Sequence, residues 1–421
     1  MSHDRHEAGF KHRTRVAAAR DALLAAVDRH DRVEQVPLGE ADGRAVAEPL
    51  DAPNPVPGYD RAAMDGYAVR AEDTFGASDR SPSVLRRSED AVGPNRAARV
   101  HTGSDLPEGA DAVVMIEEVE EINAELEVFD AVAEGENVGE VGEDVAAGQR
   151  LFDTGHRLRP SDLGLLKSVG LTEVPVFEPP EVAVIPTGEE LVQEAPEPGE
   201  VIETNGLTVS RLVERWGGDA RYRDIVTDDE DRLEAAIERD LDADVVVTTG
   251  GSSVGERDLL PEVVDSLGEV LVHGVALRPG HPVAMGEIDG TPIVNLPGYP
   301  VACIVNAVQF LRPALKTAGG LPVEPHPTRR ATLTRKIASE PGTRTYARVK
   351  LSDAGADGGD ADGDAAAIDG DADLEATPTR ASGSGVLSSV ALADGWVVVP
   401  EGREGIDAGE VVDVEIWEAV A

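Results

Sequence analysis

Val16, Ala19, Leu23 and Val27 recur at helical spacing, so residues 14–30 are expected to form an amphipathic first helix. From about 36 to 150 the pattern changes to short Val-rich runs punctuated by Pro and Gly, which predicts a β-rich domain. Residues 151–176 read as a return segment. Such an excursion predicts a discontinuous, elongated first domain made of 14–35 and 151–176, with 36–150 as the inserted domain.

Between 181 and 317, strands alternate with helices. The apolar run 182–185 ends in Pro186-Thr187-Gly188-Glu189-Glu190. A helix follows, with Val209, Leu212, Val213 and Trp216 on one face and Gly217-Gly218 as its stop. Val245-Val246-Val247 is a second buried strand, running into Thr248-Thr249-Gly250-Gly251-Ser252-Ser253-Val254-Gly255. A third, 293–296, meets Pro297-Gly298-Tyr299-Pro300 before another helix. Continuous apolar strands between helices predict a parallel sheet covered on both faces, in an α/β domain over 177–320. Residues 325–421 are expected to form a small β domain, with 388–399 and 411–416 as strands. The fold class is thus multidomain α/β plus β.

Inside that last domain, 351–373 is almost entirely Asp, Gly and Ala. It has too little apolar surface to offset the entropy of ordering, so a disordered acidic insertion is expected. A calcium loop fits poorly. Counting from Asp360 puts Ala365 at the turn glycine and Asp371 at the closing glutamate, and counting from Asp369 puts Leu374 at the glycine.

At 421 residues the chain has room for about three domains. Aromatics are only 3%, so its cores must be built from Val, Leu, Ile and Ala. The net charge of -43 changes the picture more, because so negative a field repels phosphate backbones and anionic lipid. Nucleic acid and membrane are therefore excluded as partners, and adaptation to high salt is expected. Only five lysines occur (Lys11, Lys167, Lys316, Lys336 and Lys350), so arginine carries nearly all the positive charge. Cys303 is the sole cysteine, which rules out an intrachain disulfide or a cysteine-rich zinc site. Residues 1–15 are polar, without the apolar core of a signal peptide, so a soluble cytoplasmic protein is expected.

In parallel α/β sheets, ligands bind outside the carboxyl ends of the strands. Three loops leave such ends here: 186–190, 248–258 and 296–300. Gly250-Gly251-Ser252-Ser253 suits a phosphate or carboxylate, since glycine lets backbone N–H groups approach an anion. It matches neither the P-loop nor the dinucleotide fingerprint. Glu190 and Asp258 close strand-end loops, and Asp228 follows the short apolar pair Ile225-Val226. Carboxylates around an anion pocket make sense if a hard divalent cation such as Mg²⁺ bridges them to the ligand.

The run Pro55-Val56-Pro57-Gly58-Tyr59-Asp60-Arg61-Ala62-Ala63-Met64-Asp65-Gly66-Tyr67-Ala68-Val69 resembles the N-terminal motif of the molybdopterin molybdenumtransferases, the bacterial MoeA proteins and the gephyrin E domain. Further pieces match in order: Thr102-Gly103, residues 107–114, Gly142-Glu143-Asp144, Thr187-Gly188-Glu189-Glu190, residues 250–258, Arg278-Pro279-Gly280, Leu296-Pro297-Gly298 and Ser382-Gly383-Ser384. The similarity spans residues 14–418 apart from the acidic insertion. It implies an elongated homodimer of four-domain subunits, with the active site between the α/β domain of one and the β-rich domain of the other. It also implies that adenylylated molybdopterin and molybdate are the substrates, and that AMP and molybdenum cofactor are released with help from Mg²⁺. By the same resemblance the functional residues are Asp60, Thr102, Asp144, Glu190, Asp228 and Asp258. Glu190 and Asp258 would hold Mg²⁺, while Asp60, Thr102 and Asp144 would reach in from the partner. Substrate contacts are expected from Gly250, Gly251, Ser252, Ser253, Arg278, His281, Pro297 and Gly298, and oxyanion contacts from Arg348 and Ser384.

Two departures stand out. The family's usual Lys-Pro-Gly-Lys is Arg278-Pro279-Gly280-His281 here, which trades one fixed charge for a side chain that is largely neutral near pH 7. Its Leu-Pro-Gly-Asn-Pro-Val-Ser is Leu296-Pro297-Gly298-Tyr299-Pro300-Val301-Ala302, with Cys303 beside it expected to be a small buried residue. These changes favour one rival to the insertion enzyme, a non-catalytic pterin-binding paralogue or scaffold; the similarity of the α/β domain to that of the adenylylating enzymes leaves a second, a molybdopterin adenylyltransferase.

Overall fold

Strand Val245–Thr249 is buried along its whole length, and its side chains enter opposite cores: Val245 and Val247 in one, Val246 in the other. Its neighbours Glu181–Pro186 and Thr291–Leu296 divide their side chains in the same way. This is why the strands read as unbroken apolar runs: both faces of the sheet are covered. Helices Asn205–Arg215 and Pro300–Asn306 pack on one face, and Glu230–Arg239 and Leu259–Leu267 on the other. The helix expected at 14–30 spans Val16–Ala25, with Val16, Ala19, Leu23 and Val27 all buried in the first of these cores.

The computed structural model describes residues 13–250, 259–354, 374–379 and 385–419. The expected acidic insertion therefore lies largely outside the described residues. The chain divides into two units, Met1–Val33 with Phe177–Ala421 and, separately, Glu34–Val176.

In the first unit a six-stranded sheet runs in the order Asp219–Tyr222, Glu181–Pro186, Val245–Thr249, Thr291–Leu296, Ala284–Ile288, Glu269–His273. The first four strands are parallel, as the sequence predicts. Ala284–Ile288 runs antiparallel to both its neighbours. The cause is local: Asp289 and Gly290 have φ of 49° and 85°, the conformation of a tight two-residue hairpin turn. The first unit also contains a barrel. Thr328–Leu333, Arg344–Asp353, Leu374–Pro378, Gly395–Val399 and Val411–Glu415 form a sheet that closes where Arg344–Asp353 pairs with Gly395–Val399. Residues 388–399 were expected to be one strand, but Ser388–Ala391 is a helical turn and the strand begins at Gly395. Ser389 and Val390 are both buried, which an alternating strand face does not allow.

In the second unit, Ala112–Met115, Gly66–Val69, Arg96–Val100, Ser83–Ser88, Glu125–Val128 and Val119–Ile122 form a further six-stranded sheet. A separate core joins Val36, Leu38, Val46 and Leu50 to Leu158, Leu166, Val174 and Val176. The chain thus leaves for the β sheet and returns, but residues 36–50 pack with the returning segment rather than with the sheet.

Candidate active site

The carboxyl ends of the parallel strands are laced together through their backbones. Gly250 N–H donates to Leu296 O at 3.1 Å, Thr187 N–H to Thr249 O at 3.3 Å, and Gly188 N–H to Val226 O at 3.1 Å. Gly250 has φ +134°, and a Cβ there would lie 2.0 Å from Thr187 O, so only glycine fits. Gly298 is exposed beside it; its carbonyl accepts from Asn205 Nδ2 at 2.7 Å, while Pro297 is buried beneath. Gly251, Ser252, Ser253 and Asp258, expected at this edge, lie outside the described residues, as does Ser384.

Polar groups converge on this rim with their bonding capacity unused. The hydroxyls of Thr187 and Thr249 are buried and have no hydrogen-bond partner among the described residues. One oxygen of Asp228 is in the same condition. Burial holds the Asp228 carboxyl above the usual carboxylate range; the charges of Glu190 and then Glu189 raise it further, against the Glu189 N–H. Such an acid, beside a second acid, suits a cation that both can share. No group of three or more His, Cys, Asp or Glu among the described residues forms a metal site by itself. Mg²⁺ is commonly held by one or two carboxylates with substrate phosphate supplying the rest, and Asp228 and Glu190 fit that pattern.

A second feature of the same unit is a cavity of about 810 Å³, lined by the turn Arg278-Pro279-Gly280-His281 and by barrel residues that include Lys336, Arg348 and Thr379. Arg278 pairs with Glu340 at 2.8 Å, but both are exposed, so the pair is weak and easily exchanged. Lys336 pairs with Asp407 at 2.8 Å. Burial draws Arg348 below the usual arginine range without threatening its charge. His281 is held below the usual histidine range by burial first, then by Arg13 and Arg278, with Glu340 opposing. It is therefore neutral at pH 7. Thr379 presents a buried hydroxyl with no partner among the described residues, and its N–H donates to Arg348 O at 3.0 Å.

In the second unit three loops carry Asp60, Thr102 and Asp144, and hydrogen bonds tie them together. Asp60 Oδ1 accepts from Val141 N–H at 3.0 Å, and its carbonyl from Leu106 N–H at 2.9 Å. Asp144 N–H donates to Val56 O at 3.0 Å. Thr102 donates both its N–H (2.7 Å) and its hydroxyl (2.9 Å) to Asp65. Those two bonds, in that order, hold Asp65 below the usual carboxylate range.

Sequence reasoning did not single out Asp65, Thr187, Thr249, Asn205, Lys336 and Thr379 as candidates. Lys336 carried a usable signal, as one of only five lysines in an arginine-rich chain. The threonines carried none, since only the third dimension shows their hydroxyls to lack partners among the described residues. Cys303 is fully buried with its thiol pushed well above the usual range by burial, which fits the small core residue expected.

A doubly covered α/β sheet with glycine and acids at its strand ends, and a barrel with a cavity lined by Arg278, Lys336 and Arg348, define a multidomain α/β plus β protein with two candidate ligand sites. Comparison with known proteins narrows the class. Residues 14–170 match the family described as "MoeA N-terminal region (domain I and II)", residues 183–317 the "Probable molybdopterin binding domain", and residues 365–417 the "MoeA C-terminal region (domain IV)". A molybdopterin biosynthesis protein of Methanocaldococcus jannaschii is 36% identical over 402 residues, covering 92% of this chain and 93% of the relative. Molybdopterin molybdenumtransferase 2 of Mycobacterium tuberculosis is 35% identical over 347 residues, covering 78% of this chain and 86% of the relative. Two crystal structures of the molybdopterin biosynthesis MoeA protein from Pyrococcus horikoshii align with TM-scores of 0.79 and 0.78, at 34% and 30% identity. They cover 97% and 96% of this chain and 100% of each structure. The chain belongs to the MoeA family, and it is a transferase of molybdenum cofactor biosynthesis.

Proposed function

We propose that this enzyme inserts molybdate into adenylylated molybdopterin and releases AMP. The observation that carries the reading is the cavity that gathers Arg278, Lys336 and Arg348 in a chain of net charge -43. A dianion must approach against the field of the whole molecule, and fixed local cations are what can hold it. Arg278 and Arg348 bind the oxyanion, with the Thr379 hydroxyl free to donate a further hydrogen bond. At the strand ends, Gly250 and Gly298 let backbone approach the substrate, and Thr187 and Thr249 offer hydroxyls to its polar groups. Glu190 and Asp228, with Asp258, would hold Mg²⁺, which would supply positive charge beside the substrate phosphate.

The remaining candidate residues belong to a shared site. Asp60, Thr102 and Asp144 lie in a different unit from Glu190 and Asp228, and this supports a homodimer in which each active site draws on both subunits. The domain plan that goes with it has four domains, the first of them discontinuous. Among the described residues no helix is long and apolar enough to cross a membrane. The charge excess supports a salt-adapted source.

The reaction is tested by incubating the protein with adenylylated molybdopterin, Mg²⁺ and molybdate and measuring AMP. Asp228→Asn should cut AMP release at least about a hundredfold, as loss of a key charged contact does, while circular dichroism stays unchanged. Near-normal turnover by that folded variant would overturn the assignment. Mixing inactive Asp60→Ala and Asp228→Ala chains should restore part of the activity in heterodimers; no recovery despite proven exchange places each site within one chain.

A further inference from the structure

Helix Pro300–Asn306 is buried at every position from Val301 to Asn306. Five of those six residues are apolar or a lone thiol; the sixth, Asn306, is a primary amide at 0% exposure. Its Nδ2 donates to Ala302 O at 2.8 Å, one turn back on its own helix, and to Gly280 O at 3.0 Å. Its Oδ1 is buried without a partner among the described residues. An amide that gives up half of its bonding capacity is an expensive choice for a core helix, where an apolar side chain would pack freely. Something offsets that cost, and the Gly280 carbonyl is the contact that reaches outside the helix.

Gly280 is the apex of the turn whose flanking residues, Arg278 and His281, line the cationic cavity. It is buried, with φ +109°, and a Cβ there would sit 2.0 Å from Asn306 Nδ2. The turn therefore comes as close to the amide as glycine permits. Its other anchor is the bond from Val275 N–H to His281 O at 2.9 Å. With Arg278 itself exposed and its Glu340 pair weak, the backbone anchors are what fix where the guanidinium starts from.

We infer that Asn306 is a positioning residue for the oxyanion pocket: its amide pins the Gly280 carbonyl and so sets the place of Arg278 and His281. This rests on the reading of the cavity as the molybdate site. Asn306 touches no substrate. Releasing the turn moves the Arg278 guanidinium, and displacements of about 1 Å at such contacts cost up to about a hundredfold. The loss should fall on molybdate alone, because the strand-end rim that holds the pterin substrate is built by other residues.

The test compares Asn306→Ser with Asn306→Ala and Arg278→Ala in the full-length protein. Serine can still bond the carbonyl four residues back and so supports the helix, but it is too short to reach Gly280. AMP release is followed against molybdate at saturating adenylylated molybdopterin, and against the pterin substrate at saturating molybdate. The inference expects both Asn306 variants to raise half-saturating molybdate roughly ten- to a hundredfold, with pterin dependence and the limiting rate within about twofold of the parent. Binding of molybdate alone, by calorimetry, should weaken in parallel. A folded Asn306→Ser with unchanged molybdate dependence overturns the inference, and so does one that loses both substrates equally. If the alanine variant does not fold, the serine variant decides. Arg278→Ala separates the two readings: if it also leaves molybdate dependence unchanged, the cavity is not the molybdate site and the inference falls with it.

Discussion

At the scale of single residues, the chain uses its acids in two opposite ways. Asp228 is an acid with unused bonding capacity beside a second acid, a costly arrangement unless a cation joins it. Asp162 is the reverse case. It is buried at the start of helix Pro160–Ser168, where Arg159 donates to it through its N–H (3.0 Å), Nε (3.1 Å) and guanidinium NH2 (3.0 Å), and His156 Nε2 lies 2.8 Å away. Burial alone would raise its pKa, but these bonds, led by the Arg159 side chain, lower it to about 2. A depressed folded-state value stabilises at pH above the unfolded value near 3.8, and the contribution disappears as pH falls from there to about 2. Its size is about 2 kcal/mol. Asp162→Asn should therefore lose about that much at pH 7 and show a shallower acid limb between pH 4 and 2 in urea titrations. His281 sits on the other side of this logic. Its pKa is lowered, so it carries charge only below the usual histidine range. Half-saturating molybdate should be flat from pH 7 to 8 and improve only as pH falls below the usual histidine range. A His281→Lys chain, permanently charged, should need less molybdate at pH 7 and lose that pH response.

At the scale of elements, the barrel accommodates its acidic insertion at a hairpin. Strands Arg344–Asp353 and Leu374–Pro378 are antiparallel, with Asp353 opposite Leu374 and Val349 opposite Pro378. The insertion therefore departs from and returns to directly paired positions, and closing that gap needs no more than a tight turn. Replacing residues 354–373 by Asn-Gly should leave the melting temperature within about 3 °C of the parent, since loop length changes closure entropy only slowly. It should also leave AMP release intact. A large loss of stability on the deletion would mean that the insertion packs on the barrel. The same element logic explains the antiparallel strand Ala284–Ile288. Its Asp289-Gly290 turn is a hairpin signal of two residues, easily passed over between long apolar runs.

At the scale of the whole molecule, the 81 acidic residues against 38 basic ones dominate. The ion pairs that remain are local, such as Arg32 with Asp244 at 2.6 Å and Arg403 with Glu410 at 2.9 Å, and they cannot neutralise the rest. Self-repulsion should weaken as the Debye length falls from ~30 Å at 0.01 M to ~3 Å at 1 M salt. The melting temperature should rise over that range. A flat or falling curve would show that the charge is already compensated in the folded state.

Much of this protein was written in the order of its residues. The doubly covered sheet follows from runs such as Val245-Val246-Val247, because a strand buried on both faces needs no polar alternation. The strand-end loops follow from glycine, whose backbone freedom marks close approaches like that of Gly250 to Thr187. The family follows from ordered motifs between residues 14 and 418. The tertiary structure decided what has no local signature. The approach of Gly250 to Thr187, the meeting of Lys336 with Arg278 and Arg348, and the grip of Asn306 on Gly280 join residues far apart in the chain. Local pattern records which face a side chain turns to the core. It does not record which distant group that side chain finds there, because hydrogen-bond satisfaction and charge balance are settled only when the whole chain has packed.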